Sequence, residues 1–284
     1  MDGACVTPGD LCCFLQRLQT EPAVLVRVGA TQGSAPREAG AWLAVFAEGA
    51  CGTIGGGQLE WRVTQQAREL LSDPGWQHGT QRHALGPSLG QCCGGVMQLD
   101  LRRVSAADLP GLHDTLHPVR WPVALFGGGH VGAAIVQALA PLPFAVRWVD
   151  SRDGIFPAGL PPHVQTEHSE PVERAVADLS PGSQVLIMSF SHAEDLAVLA
   201  ACLLRRRQRH DLPFIGLIGS RSKWATFRHR LLDRGYSAEE LDQVHCPIGL
   251  PGIQGKQPAV IAASVAAQLL LFATPDSVEE STLR

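Results

Sequence analysis

Two rhythms of apolar and polar positions divide this chain. In its first hundred residues apolar positions recur at helical spacing over residues 8–19, then collect into strand-length runs at 23–28 and 41–46. A glycine-rich stretch, 52–57, opens a helix that runs to about Leu71, and residues 81–85 and 96–101 read as further strands. This pattern predicts an α+β domain over residues 1–104. Between Ser105 and Pro122 the periodicity fails and Pro110, Pro118 and Pro122 punctuate the chain, which predicts a linker over 105–122.

Beyond the linker the pattern becomes a strict alternation of short apolar runs and longer amphipathic stretches. Strands are expected at 123–126, 145–149, near Val164, at 184–190 and at 214–218. Helices are expected at 130–140, 172–179, 193–207, 223–234 and 258–271. Strand–helix alternation of this kind requires a parallel sheet, here over residues 123–274, followed by a polar tail at 275–284.

The 284 residues are long enough for two ordinary domains, each with its own core. A net charge of −4 gives no basic surplus and excludes nucleic acid as the expected partner. The N-terminal residues lack the basic and apolar regions of a signal peptide, so the chain reads as cytoplasmic. Its longest apolar run, 259–273, is broken by Ser264 and Gln268 and is shorter than the ~20 residues that span a bilayer, so no membrane association is expected. Eight cysteines without paired C-x-x-C spacing are expected to be reduced thiols, not a structural zinc site. Cys5, Cys12, Cys13, Cys51 and Cys202 read as packing or incidental residues.

Candidate chemistry concentrates in glycine-rich turns. The segment Gly127-Gly-Gly129-His-Val-Gly132, entered from an apolar strand and followed by Asp150, is the G-x-G-x-x-G opening of a Rossmann unit. Its glycines suit a tight turn, close approach of a phosphate and close helix packing, and the acidic residue stands where a dehydrogenase holds a ribose hydroxyl. In the first domain Gly33-Ser-Ala-Pro-Arg37 accompanies Gly52-Thr-Ile-Gly55-Gly56-Gly57 and Glu60. Three glycines before a helix let successive N–H groups converge on an anion, and Arg37 adds a forked donor; the alternative is a tight turn that needs glycine for positive φ alone.

Cys92 and Cys93 lie between Gly90 and Gly94-Gly95. They read either as two small buried hydrophobes or as a reactive, soft-donor thiol suited to molybdenum, copper or sulfur transfer. Cys246 is a similar case. His192, after the fourth strand of the second domain, is a candidate polar or acid–base contact, or an exposed neighbour of an N-capping Ser191. Ser220 and Lys223 repeat the strand–small residue–helix pattern at the next strand end.

In order along the chain, Gly33-Ser-Ala-Pro-Arg37, the 52–60 segment, Gly90-Gln-Cys-Cys-Gly-Gly95, the 127–132 turn, Gly216-Leu-Ile-Gly-Ser220 and Cys246-Pro-Ile-Gly-Leu250 resemble the XdhC/CoxI family of molybdenum-hydroxylase accessory proteins. The resemblance spans residues 10–272 and implies an N-terminal XdhC/CoxI α+β domain followed by a Rossmann-type parallel-sheet domain. It also implies a maturation factor without turnover of its own. Such a factor binds the molybdenum cofactor (molybdopterin), supports its sulfuration by a partner cysteine desulfurase and inserts it into the molybdenum subunit of xanthine dehydrogenase. On this reading the cofactor-binding residues are Arg37, Gly55, Gly56, Gly57, Glu60, Cys92, Cys93, Gly127, Gly129, Gly132, Asp150, His192 and Ser220, with Cys92 and Cys93 the soft contacts to molybdenum. A homodimer is the expected assembly. The alternative is an NAD(P)-dependent oxidoreductase, which accounts for the Rossmann turn and Asp150 but leaves the first domain's glycine loops and cysteine pair without a role.

Overall fold

The computed structural model describes residues 11–86, 94–116 and 120–273. The chain divides into two compact units, Met1–Pro118 and Val119–Arg284.

The first unit is a five-stranded antiparallel sheet. Its strands are β1 (Ala23–Gln32), β2 (Trp42–Val45), β3 (Ala50–Gly52), β4 (His78–Ala84) and β5 (Val96–Val104), in the order β3-β2-β1-β5-β4. Alternation along β1 sends Val24, Val26 and Val28 to one face and Ala23 and Leu25 to the other, and each set nucleates its own core. On the valine face lies α2 (Gly57–Ser72), which buries Leu59, Val63 and Ala67 at a spacing of four. On the opposite face α1 (Leu11–Leu18) buries Cys13, Phe14 and Leu18, and α3 (Leu109–Leu116) adds Leu112 and Leu116. Cys13, expected to be a reduced packing residue, takes part in a disulfide.

The expected linker at 105–122 is not one. A capping box between Ser105 and Asp108 starts a 3-10 turn at Ala106–Asp108 that runs directly into α3. Pro110 falls in the first turn of α3, where a proline lacking its N–H costs nothing, and the leucines at 109, 112 and 116 pack on the first unit's core.

The second unit is a six-stranded parallel sheet. Its strands are β6 (Trp121–Phe126), β7 (Phe144–Asp150), β8 (Val164–His168), β9 (Gln184–Ile187), β10 (Phe214–Leu217) and β11 (Val244–His245). The order β11-β10-β9-β6-β7-β8 places β6 at the centre, where the winding reverses between β6 and β9. Three of these strands, β6, β9 and β10, read as near-continuous apolar runs because helices cover both faces. On one side α4 (His130–Leu139) packs against α8 (Pro258–Leu271); on the other lie α5 (His192–Arg209), α6 (Arg221–Asp233) and α7 (Ala238–Asp242). The helix expected at 172–179 is a 3-10 segment, Val172–Asp178. It is tied down by the buried Arg205, whose guanidinium donates to the carbonyls of Val176, Ala177 and Leu179 and pairs with Asp211 at 2.6 Å.

Among the described residues no helix is long and apolar enough to cross a membrane.

Candidate functional site

Each unit carries a strand–glycine–helix junction in which a carboxylate of the chain itself lies against the turn.

In the first unit β3 ends at Gly52; Gly55 and Gly56, before α2, and Gly57, its first residue, all take positive φ. Gly55 also needs its missing side chain, since a Cβ there would overlap Pro36; thus the 33–37 and 52–57 segments pack together. A Cβ at Gly95 would overlap the carbonyls of Gln32 and Ser34, so the strand following the cysteine pair closes on the same end of the sheet. Three of the glycine motifs therefore converge there. Within the 52–60 segment Glu60 Oε2 accepts hydrogen bonds from Thr53 Oγ1 (2.6 Å), Ile54 N (2.9 Å) and Gly56 N (3.1 Å), while Gly55 N donates to Thr53 Oγ1 (3.0 Å). The turn is thus a concave set of amides whose anion is Glu60. Arg37 pairs with its neighbour Glu38 at 3.4 Å, and Trp61, one residue beyond Glu60, is 62% exposed. Cys92 and Cys93 lie outside the described residues.

In the second unit β6 runs into Gly127, whose φ of 128° and lack of a Cβ let it lie against the Met188 carbonyl. Gly132 allows α4 to press on the Gly127 carbonyl, while Gly129 is the N-cap of α4 with open space beside it. Asp150, at the end of β7, is 1% exposed. Its Oδ2 accepts from Gly128 N at 2.5 Å, and its Oδ1 from the Arg152 backbone N–H at 2.8 Å. The Arg152 guanidinium donates to both oxygens at 2.9 Å. Burial alone would raise the Asp150 pKa. The hydrogen bonds from Arg152 and the Gly128 and Arg152 amides, with the Arg152 charge, outweigh it and hold the carboxyl below the ordinary Asp range.

The Arg152 guanidinium also lies 4.6 Å over the ring of Phe190, which is 65% exposed in the loop after β9. Next to it Ser151 Oγ donates to Glu194 at 2.8 Å, and Phe190 N donates to the other oxygen of the same carboxylate at 3.1 Å.

A second charged cluster lies one strand further out. Asp195 accepts from Ser189 N at 2.7 Å and from Lys223 Nζ at 2.6 Å, and Lys223 also donates to the Ile218 carbonyl at 2.8 Å. Burial pushes the half-buried Cys246 thiol up to about 11, with Lys223 opposing the rise. That thiol is therefore protonated at neutral pH and is not an activated nucleophile.

Ser191 and Ser220 are N-caps of α5 and α6, accepting from Glu194 N and Lys223 N, both at 3.2 Å. His192 is exposed in the first turn of α5, edge-on to Phe227 at 6.2 Å. Arg152, Phe190, Glu194, Asp195 and Thr53 were not among the candidate site residues. The available signals were an arginine two residues after the Rossmann acid, an acidic pair in the first turn of α5, and one of only two lysines in the chain at the start of α6. Among the described residues no group of three His, Cys, Asp or Glu could hold a metal ion.

Two family models match the chain: one described as the XdhC Rossmann domain over residues 123–269, the other as the XdhC and CoxI family over residues 17–82. A curated relative, the uncharacterized protein YqeB of Escherichia coli, is 29% identical over 258 residues; the match covers 89% of this chain and 44% of YqeB, so the chain spans less than half of that relative. A crystal structure described as a xanthine dehydrogenase from Bacillus halodurans superposes with a TM-score of 0.72 at 20% identity, over 93% of this chain and 98% of that one, and shows a shared fold.

Proposed function

This chain belongs to the XdhC and CoxI family, and from that premise we propose that it is an accessory protein in the maturation of xanthine dehydrogenase. In this reading it binds the molybdenum cofactor as cargo, holds it while a partner cysteine desulfurase supplies sulfur, and passes it to the molybdenum subunit of the apoenzyme. It has no redox turnover of its own. The observation that carries this choice over a dehydrogenase is the state of Asp150. A dehydrogenase needs that carboxylate for a ribose, and here both oxygens are engaged by Arg152, with Gly128 N as a further donor. The strand order and the 127–132 turn favour the oxidoreductase alternative, but they describe the fold, and a fold hosts many chemistries.

A phosphorylated pterin whose dithiolene holds a soft metal calls for amide donors and an accessible thiol, without a closed metal cage. The glycine-built end of the first sheet supplies the amides, and the sequence places Cys92 and Cys93 directly before Gly94-Gly95. The test is to isolate the protein from molybdenum-replete cells, oxidise it, and look for pterin fluorescence, then add the loaded protein to apo-xanthine dehydrogenase. Bound pterin and gain of dehydrogenase activity are expected, and both fall when Cys92 and Cys93 are replaced together by alanine. Absence of pterin, together with stoichiometric oxidation of NADH or NADPH by the purified chain, overturns the reading.

A further inference from the structure

The Rossmann fold implies a dinucleotide, and the residues of this chain do not fit one as they stand. β7 and β9 flank β6 in the sheet. Contacts between the loops that follow β7 and β9 therefore join the two walls of the crevice across the glycine turn. Two contacts do this: the Arg152 guanidinium carbon lies 4.6 Å over the Phe190 ring, and Ser151 donates to Glu194 in the first turn of α5.

What Arg152 does there has the chemistry of an adenosine. Two ribose hydroxyls would donate to the acid at the end of the second strand of a Rossmann sheet; here Nε and Nη2 of Arg152 donate to Oδ1 and Oδ2 of Asp150. An adenine would offer a flat π-face to an aromatic ring; the planar guanidinium lies over Phe190. We propose that Arg152 is an internal occupant of an adenosine-phosphate subsite, and that the chain keeps a nucleotide-shaped crevice closed with its own side chain.

The guanidinium is tethered within two residues of Asp150, so its effective concentration at the carboxylate is that of a short linker, in the millimolar range or above. A free nucleotide must displace it. The wild-type chain accordingly binds adenosine nucleotides weakly, and removal of the Arg152 side chain uncovers the subsite. The inference rests on the geometry of this crevice and not on the proposed cargo, so either can fail alone.

The experiment titrates AMP, by calorimetry, into the full-length wild-type protein and into the Arg152→Ala, Arg152→Ala/Phe190→Ala and Asp150→Asn/Arg152→Ala variants. Arg152→Ala is expected to bind AMP at least tenfold more tightly than wild type, and the added Phe190→Ala to return affinity to the wild-type level. Asp150→Asn/Arg152→Ala also lacks the acceptor of the ribose hydroxyls and is expected to show no gain; where Arg152→Ala does not fold, Arg152→Gln, which can still donate a hydrogen bond to Asp150, is titrated in its place and is expected to bind AMP more tightly than wild type. Affinities for AMP that agree within twofold between wild type and the folded arginine variant overturn the proposal, as does a gain that survives loss of Phe190.

Discussion

The two glycine junctions begin alike and are closed by different means. Each leads from a strand through positive-φ glycine into a helix, and each gives its turn amides a carboxylate. In the first unit that carboxylate is local: Glu60 reaches back from the first turn of the helix it starts, and its described partners are two amides and a hydroxyl. In the second unit it is distant: Asp150 comes from the neighbouring strand, is buried, and brings a guanidinium with it. A local carboxylate rigidifies one turn. A distant one ties the turn to the sheet, so its loss is felt by the whole unit.

The largest expected effect follows from that distinction. Asp150→Ala removes the buried anion of an ion pair whose cation, Arg152, is a third exposed, together with the partner of Gly128 N, and should destabilise the second unit by about 2–4 kcal/mol in urea unfolding. A cost below about 1 kcal/mol would place Asp150 on the same footing as Glu60. Next, Gly132→Val drives a side chain toward the Gly127 carbonyl, where α4 meets the turn, and should cost about 2–3 kcal/mol. Gly56→Ala in the other junction meets open space and should cost only the strain of its backbone, whose φ of 72° and ψ of −166° are adopted essentially by glycine alone, about 1–3 kcal/mol.

Glu60→Ala leaves the Ile54 and Gly56 amides and the Thr53 hydroxyl without their acceptor and should cost about 1–2 kcal/mol; Glu60→Gln should recover part of this through its carbonyl oxygen. The comparison can also be sharpened by pH. Because the Asp150 pKa is lowered in the folded state, the stability it contributes is fully present above the ordinary value of 3.8 and is lost as pH falls through the depressed folded value. The stability difference between wild type and Asp150→Asn should therefore be constant near neutrality and shrink below about pH 4. A difference unchanged down to pH 2 would mean that the carboxylate is not what the turn uses.

The order of the major elements was legible in the sequence because apolar spacing reports burial directly. The parallel sheet was readable from strand runs such as 123–126 and 214–218, and the glycine turn from its motif. Four short elements were not. β3 has three residues and β11 two, too few to show a period. α3 is interrupted by Pro110 and Gly111, and α7 is a single capped turn. In the candidate site, the glycines announced where backbone would be exposed, but not which side chain would lie against it. Glu60 and Asp150 were both singled out for an incoming ligand; the structure shows each holding groups of its own chain. That pairing depends on tertiary geometry, as with Asp150 and Gly128, or on a helical back-reach, as with Glu60 and Ile54.

The Glu60 arrangement makes anion capture an exchange. A phosphate group that uses the amides of Ile54 and Gly56 gains them only when the carboxylate swings out, so the measured dissociation constant is the intrinsic one divided by the fraction of molecules in which Glu60 has withdrawn. The same carboxylate stands ready to return, one helical turn away, and each return shortens the guest's stay. A turn built this way trades residence time for readiness.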